Sequence, residues 1–283
     1  MIELLLILAF LGLIIGTYTD FKIREVPDWL SYSLIVAGLG LRLLYSTITF
    51  DWMFFLYGLL GFGIFLALAF IMYYAGQWGG GDSKVLMGIG ALLGFELNPF
   101  SFFIGFFINL LIIGALYGMG WSIFLAIKNR KNFKKEFMNL QKKNKKLNLI
   151  SFISLFILSI IFFLIISDPM LKLISIIFFI FIYFSLHMYI FTKSVENSSM
   201  YKLYPISKLT EGDWIAKIVK YKGKYLCGPK DLGISKKQIE LLKKYKIKQV
   251  LVKEGIPFIP SFLLAFIITY IWGNLMFLLL LKP

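Results

Sequence analysis

The sequence predicts an all-α polytopic membrane bundle of about eight spans, one of them short, with a small cytoplasmic α+β domain. Three observations predict it. The 283 residues are 59% hydrophobic and only 16% charged, more apolar surface than a soluble domain of this size can bury. Most of the apolar residues fall in runs close to the roughly 20 that a helix needs to cross the hydrocarbon core. Residues 197–256 alone break this pattern, with the alternation and turn signals of a folded soluble module.

The apolar runs cover residues 2–19, 29–48, 52–75, 82–97, 100–127, 149–166, 170–192 and 257–281. The fourth is the short one, and a helix of that length rises only about 24 Å. By composition the chain divides into an N-terminal membrane core (1–127), a basic cytoplasmic loop (128–148), two further spans (149–192), a soluble α+β domain (193–256) and a final transmembrane helix (257–283). The start, Met1-Ile2-Glu3 followed by leucines, lacks the basic region and cleavage site of a secretory signal and reads as a retained helix.

The formal net charge of +15 sits in the loops, where orientation in the bilayer is its commonest cause. With the N-terminus outside and every segment crossing, 27 of the 30 lysines and arginines fall on the cytoplasmic side. The exceptions are Arg42, expected to snorkel to the outer headgroups, and Lys172 and Lys282 at outer helix ends. No basic stretch is interleaved with aromatics on a stacking platform, which argues against nucleic acid. The run at 128–148, with Phe133, Phe137, Met138 and Leu140, reads as a solvated connector attracted to membrane lipids.

Within the soluble stretch, Trp214–Val219 and Tyr221–Cys227 read as strands around a Gly223 turn. Ser235 with Gln238 forms a capping box for a helix reaching Lys244, and Gln249–Val252 is a third strand. The stretch holds no histidine, Ser/His/Asp set or phosphate loop, so its expected role is to bind or gate substrate or to steady helix ends. Cys227 is the only cysteine and reads as a small buried side chain. His187 is the only histidine and reads as an interhelical contact, as do Asn109 and the glycines of the fifth run. No metal or cofactor is predicted.

Two acids carry the chemistry. Asp20 closes the first apolar run, and Asp82 follows Gly79-Gly80-Gly81 at the start of the fourth. An ionisable residue at the edge of the hydrocarbon is costly and needs a reason. Asp82 at a helix start has one in the positive end of the dipole, whereas Asp20 at a helix end faces the negative one. The topology places both at the cytoplasmic boundary, which suggests a carboxylate pair. Such a pair can hydrolyse a peptide bond without metal or nucleophilic side chain: one anion takes a proton from water while the other acid protonates the carbonyl oxygen. The dipoles assign Asp82 as the anion and Asp20 as the proton carrier. The three glycines allow dihedrals barred to other residues and let an extended substrate approach closely. Glu25 and Asp28 are local acids, and Asp28 before Trp29 suits a helix cap.

Gly79-Gly80-Gly81-Asp82-Ser83-Lys84, taken with Asp20-x-x-x-Arg24-x-Val26-Pro27-Asp28, resembles the type IV prepilin peptidase family of GxGD membrane aspartic proteases. Gly228-Pro229-Lys230 through Val252-Lys253-Glu254-Gly255-Ile256-Pro257-Phe258-Ile259-Pro260 resembles the C-terminal part of its archaeal preflagellin peptidase branch. The resemblance implies removal of short basic leaders from preflagellins or pilin-like precursors at the cytoplasmic face. Asp20 and Asp82 would be the catalytic pair, supported by Gly79, Gly80, Gly81 and Lys84. The cysteine pairs of bacterial relatives and any obvious methyl-donor site are absent, so N-methylation is not predicted. By analogy with presenilin-type proteases, Pro257 and Pro260 would either position substrate or simply start the last helix. Alternatives are a signal-peptide-peptidase-like protease, which would normally show Tyr-Asp where Thr19 precedes Asp20, and a proton- or cation-coupled transporter. Acids near one face and the lack of an inverted repeat argue against the transporter.

Overall fold

The computed structural model describes residues 1–280, with side chains through Phe277. Its helices are α1 (Ile2–Ile23), α2 (Asp28–Thr49), α3 (Trp52–Tyr74), α4 (Gly80–Leu93), α5 (Phe102–Lys128), α6 (Arg130–Lys143), α7 (Lys145–Ile165), α8 (Pro169–Val195), α9 (Lys236–Lys244), α10 (Ile259–Trp272) and α11 (Leu275–Leu280). The strands are β1 (Tyr201–Pro205), β2 (Trp214–Ile215), β3 (Val219–Tyr221), β4 (Lys224–Cys227) and β5 (Gln249–Lys253). Among the described residues, six helices are long and apolar enough to cross a bilayer: α1, α2, α3, α5, α7 and α8 with its π-helical extension to Met200. The chain clusters into two compact units, Met1–Trp121 with Pro205–Val250 and Glu254–Pro283, and Ser122–Tyr204 with Leu251–Lys253.

The fourth and last predicted spans are the two that fall short. α4 and α10 have 14 residues each. The last run is broken at Gly273, whose φ of 69° ends α10 before α11 begins; the end of that run and Lys282 lie outside the described residues.

The first unit is built around α4, which packs against α1, α2 and α3 and buries Ser83, Val85, Leu86, Gly88, Ile89, Gly90, Ala91 and Leu92. Such burial needs backbones to approach closely. A Cβ on Gly90 would run into the Gly61 carbonyl oxygen of α3, and one on Gly61 into that of Gly90. A helix that stops inside the protein leaves its last carbonyls without partners, where water cannot supply them. Arg42 supplies them: Nε donates to Ala91 O (3.1 Å) and Nη2 to Leu92 O (2.9 Å) and Leu93 O (2.7 Å), while Nη1 donates to Phe54 O (2.8 Å). The expected snorkelling is therefore corrected, because Arg42 is 4% exposed and points into the bundle. Asn109 of α5 serves the end of α10 in the same way, donating to Gly273 O (2.7 Å) and Thr269 Oγ1 (2.9 Å) and accepting from Leu275 N–H (3.0 Å).

Residues 205–250 have apolar side chains of their own to bury, among them Ile215, Leu226, Ile234, Ile239, Leu242 and Val250. The predicted first strand is interrupted after Ile215, and β3 pairs antiparallel with β4. Lys222 (φ 47°) and Gly223 (φ 82°) make the tight turn of this hairpin. The Ser235–Gln238 capping box starts α9 as expected. Cys227 is free and buried, and that burial pushes its thiol up to about 11. The module touches the last turn of α3 through Tyr73, whose hydroxyl donates to Leu232 O (3.0 Å).

In the second unit, the stretch expected as a loop at 128–148 is helical. Phe133 and Phe137 stack (centroids 5.6 Å apart), and Phe133 meets Phe191 of α8 edge-on at 5.5 Å. An apolar stripe with somewhere to pack holds the segment as α6, which composition dominated by charge disguises. Its lysines and Arg130 remain exposed. His187 stays within α8, its Nδ1 3.2 Å from Tyr183 O. Glu196 gathers Tyr201 Oη (2.6 Å), Lys193 Nζ (2.9 Å) and Lys253 Nζ (3.1 Å).

Candidate active site

α1 ends at Arg24, a left-handed residue (φ 60°) whose N–H returns to Asp20 O at 3.1 Å. This places Asp20 in the last turn, where it is 5% exposed. Its carboxylate reaches across to α10 and accepts the Ile259 N–H at 3.0 Å. Room for that helix start is left one turn earlier, because a Cβ on Gly16 would stand 3.2 Å from Ile259 Cγ2. Asp20 thus serves a helix N-terminus after all, that of a helix whose first residue lies 239 positions along the chain. The dipole assignment of anion and proton carrier loses its basis, since each acid accepts a backbone N–H at a helix start.

Asp82 lies in the first turn of α4, half-buried, and accepts the Gly79 N–H at 3.1 Å. Gly79, Gly80 and Gly81 take none of the positive φ values; the left-handed residue of the break is Gly76, φ 66°. The dihedral freedom that they allow is therefore not used. What Gly81 provides is closeness, since a Cβ there would come within 3.3 Å of Val26, just past the end of α1.

Asp20 holds the start of α10 through Ile259, and Trp78, ahead of the glycine run that leads to Asp82, packs beside it on Phe258, the residue before Ile259 (centroids 5.8 Å). Trp78 is buried and also meets Phe262 at 5.5 Å. The carboxyls of Asp20 and Asp82 lie within electrostatic reach of one another. Lys84 points away from the acids and pairs with Asp28 at 2.6 Å, tying α4 to α2. Asp28 is not a cap: the N-cap of α2 is Pro27, and the carboxylate is engaged by Lys84.

The structure thus brings together Asp20, Asp82 and the glycine run, and adds the Phe258–Ile259 segment and Trp78, which sequence reasoning did not place in the site. The sequence signals for that segment are the prolines at 257 and 260 and the likeness of Val252–Pro260 to the preflagellin peptidases. No group of three or more potential metal ligands occurs among the described residues.

Residues 7–126 match the type IV leader peptidase family. The chain is 33% identical over 127 residues to a preflagellin peptidase of Methanocaldococcus jannaschii, covering 43% of this chain and 54% of that one. A preflagellin peptidase of Methanococcus maripaludis is 38% identical over 105 residues (37% of this chain, 45% of the other), and one of Methanococcus voltae 35% over 86 (30% and 36%). The chain spans about half the length, or less, of these curated relatives. No solved structure matches it. Over this segment, which holds α4 and both acids, the chain is similar to the type IV leader peptidases and to the preflagellin peptidases.

Proposed function

We propose that the protein is a membrane aspartic endopeptidase that removes short basic leaders from preflagellins or pilin-like precursors at the cytoplasmic face, just ahead of their hydrophobic helix. The observation that carries this reading is that Asp20, which binds the first N–H of α10, and Asp82, in the first turn of α4, lie within electrostatic reach of one another. Two such acids hold a water between them, one removing its proton and the other protonating the scissile carbonyl oxygen. Which acid starts as the anion is a property of the pair. The leader peptidase family match and the preflagellin peptidase relatives support the substrate class.

In this reading all eight segments cross with the N-terminus outside, and the soluble domain stands on the cytoplasmic side beside the acids. α4 and α10, at about 21 Å each, complete their crossings with flanking chain. Gly79, Gly80 and Gly81 admit the extended backbone of the precursor, and Lys84 steadies α4 through Asp28. Glu25 is the remaining local acid for a basic leader.

The test is cleavage of a leader-bearing preflagellin by the purified protein. Asn at either position still accepts the backbone N–H but cannot carry the proton, so Asp20→Asn and Asp82→Asn should each lower kcat/KM by roughly a thousandfold or more with the thermal midpoint retained. Wild-type rates from either variant would remove the reading. Labelling of residues 135–145 from outside sealed cells by an impermeant reagent would overturn the orientation.

A further inference from the structure

Five polar side-chain atoms among the described residues are buried without a hydrogen-bond partner: the hydroxyls of Thr17, Ser31, Ser46 and Tyr117, and the amide nitrogen of Asn274. A buried donor left unpaired costs free energy that an apolar group of the same shape would not, so each such atom needs an explanation. Tyr117 is the one whose surroundings are those of the site.

It lies on α5, one turn after Gly114, where a Cβ would stand 3.1 Å from Phe258 Cζ. The absent side chain lets the Phe258 ring come up beside α5, and the Tyr117 ring meets it edge-on with centroids 6.4 Å apart. On its other side Tyr117 stacks on Trp121 at 5.9 Å. Both neighbours lead to the first acid. Phe258 precedes Ile259, whose N–H Asp20 binds, and Trp121 packs at 6.1 Å on Phe21, the residue after Asp20. The Tyr117 hydroxyl is within electrostatic reach of the Asp20 carboxyl. A phenol wedged between two aromatic rings has few rotamers left, so its donor is aimed before any ligand arrives.

We propose that the Tyr117 hydroxyl is a substrate-binding donor: it gives a hydrogen bond to a backbone carbonyl of the extended precursor peptide when that peptide lies against Asp20. This rests on the protease reading above. The bond exists only in the complex, which accounts for a donor that is buried and unused without substrate. It would hold the peptide in the orientation that brings the scissile carbonyl to the acids.

The test compares Tyr117→Phe with Ser46→Ala, which removes an orphan hydroxyl on α2 away from the acids, using the full-length protein and a preflagellin substrate. Tyr117→Phe should lower kcat/KM by about tenfold or more while its thermal midpoint is unchanged or raised, because an unpaired hydroxyl has gone. Ser46→Ala should cleave as wild type does. Undiminished cleavage by Tyr117→Phe overturns the inference, as does a loss of cleavage matched by a fall in thermal midpoint, or an equal loss in Ser46→Ala. Wild-type protein that cleaves no precursor overturns the protease reading itself; wild type and Tyr117→Phe cleaving equally overturns the Tyr117 role alone.

Discussion

Helix α4 has 14 residues and buries eight of them, whereas α7 has 21 and buries none. Both are apolar, and hydropathy alone favours α7. The difference is in what each helix asks of its neighbours. A full-length apolar helix satisfies its backbone internally and can face lipid tails, which are as apolar as its own side chains. A half-length helix ends where there is no water, so it must be given donors at one end and acceptors at the other. α4 obtains them from Arg42 at its C-terminus and from Asp82 at its N-terminus. α10 obtains them from Asn109 and Asp20. The two short helices are the two whose N-termini hold the candidate catalytic acids. In the function proposed above, shortness and chemistry coincide because a helix start at the bilayer edge is where a carboxylate can be both held and reached.

Apart from the carboxylates themselves, the largest effect that would sharpen this contrast is at Arg42. Arg42→Met keeps much of the volume but strips four backbone carbonyls of their donor, and should cost about 3 to 4 kcal/mol. The check is the thermal unfolding midpoint in detergent, and an unchanged midpoint would break the argument that α4 depends on its cap. Gly90→Ala comes next, at about 2 to 3 kcal/mol, since its Cβ must displace the Gly61 carbonyl. The same measurement applies, and a Gly61→Ala variant should fall by a similar amount because the clash is mutual. The smallest effect is expected in α7. Phe156→Leu, on an exposed position, should stay within about 0.5 kcal/mol of wild type. A large loss there would show that this exposed face of α7 is covered and would erase the contrast.

Much of the candidate site is legible in the sequence because its signals are local. Three glycines ahead of an acid, and an acid closing an apolar run, mark Asp82 and Asp20 without any knowledge of the fold. The capping box at Ser235 and the turn at Gly223 were legible for the same reason. Other features were misread because the deciding contact is remote. Arg42 looked like an anchor for headgroups because nothing near it in sequence requires a donor; its acceptors Ala91 and Leu92 lie 49 and 50 positions away. Asp28 looked like a cap until Lys84, 56 positions on, claimed it. The 128–148 run looked like a loop because charge dominates its composition, while the surface that accepts its aromatic stripe is on α8.

By itself the sequence determined which segments are apolar, where the chain breaks between them, and which two acids stand at those breaks, since each follows from residue type within one or two turns. Only the tertiary structure decided that α10 starts against Asp20, that Arg42 turns inward, and that Tyr117 is left with an unused donor. Those outcomes depend on backbone groups that a short helix leaves open, and in a medium without water they must be met by whatever side chain the fold carries to them.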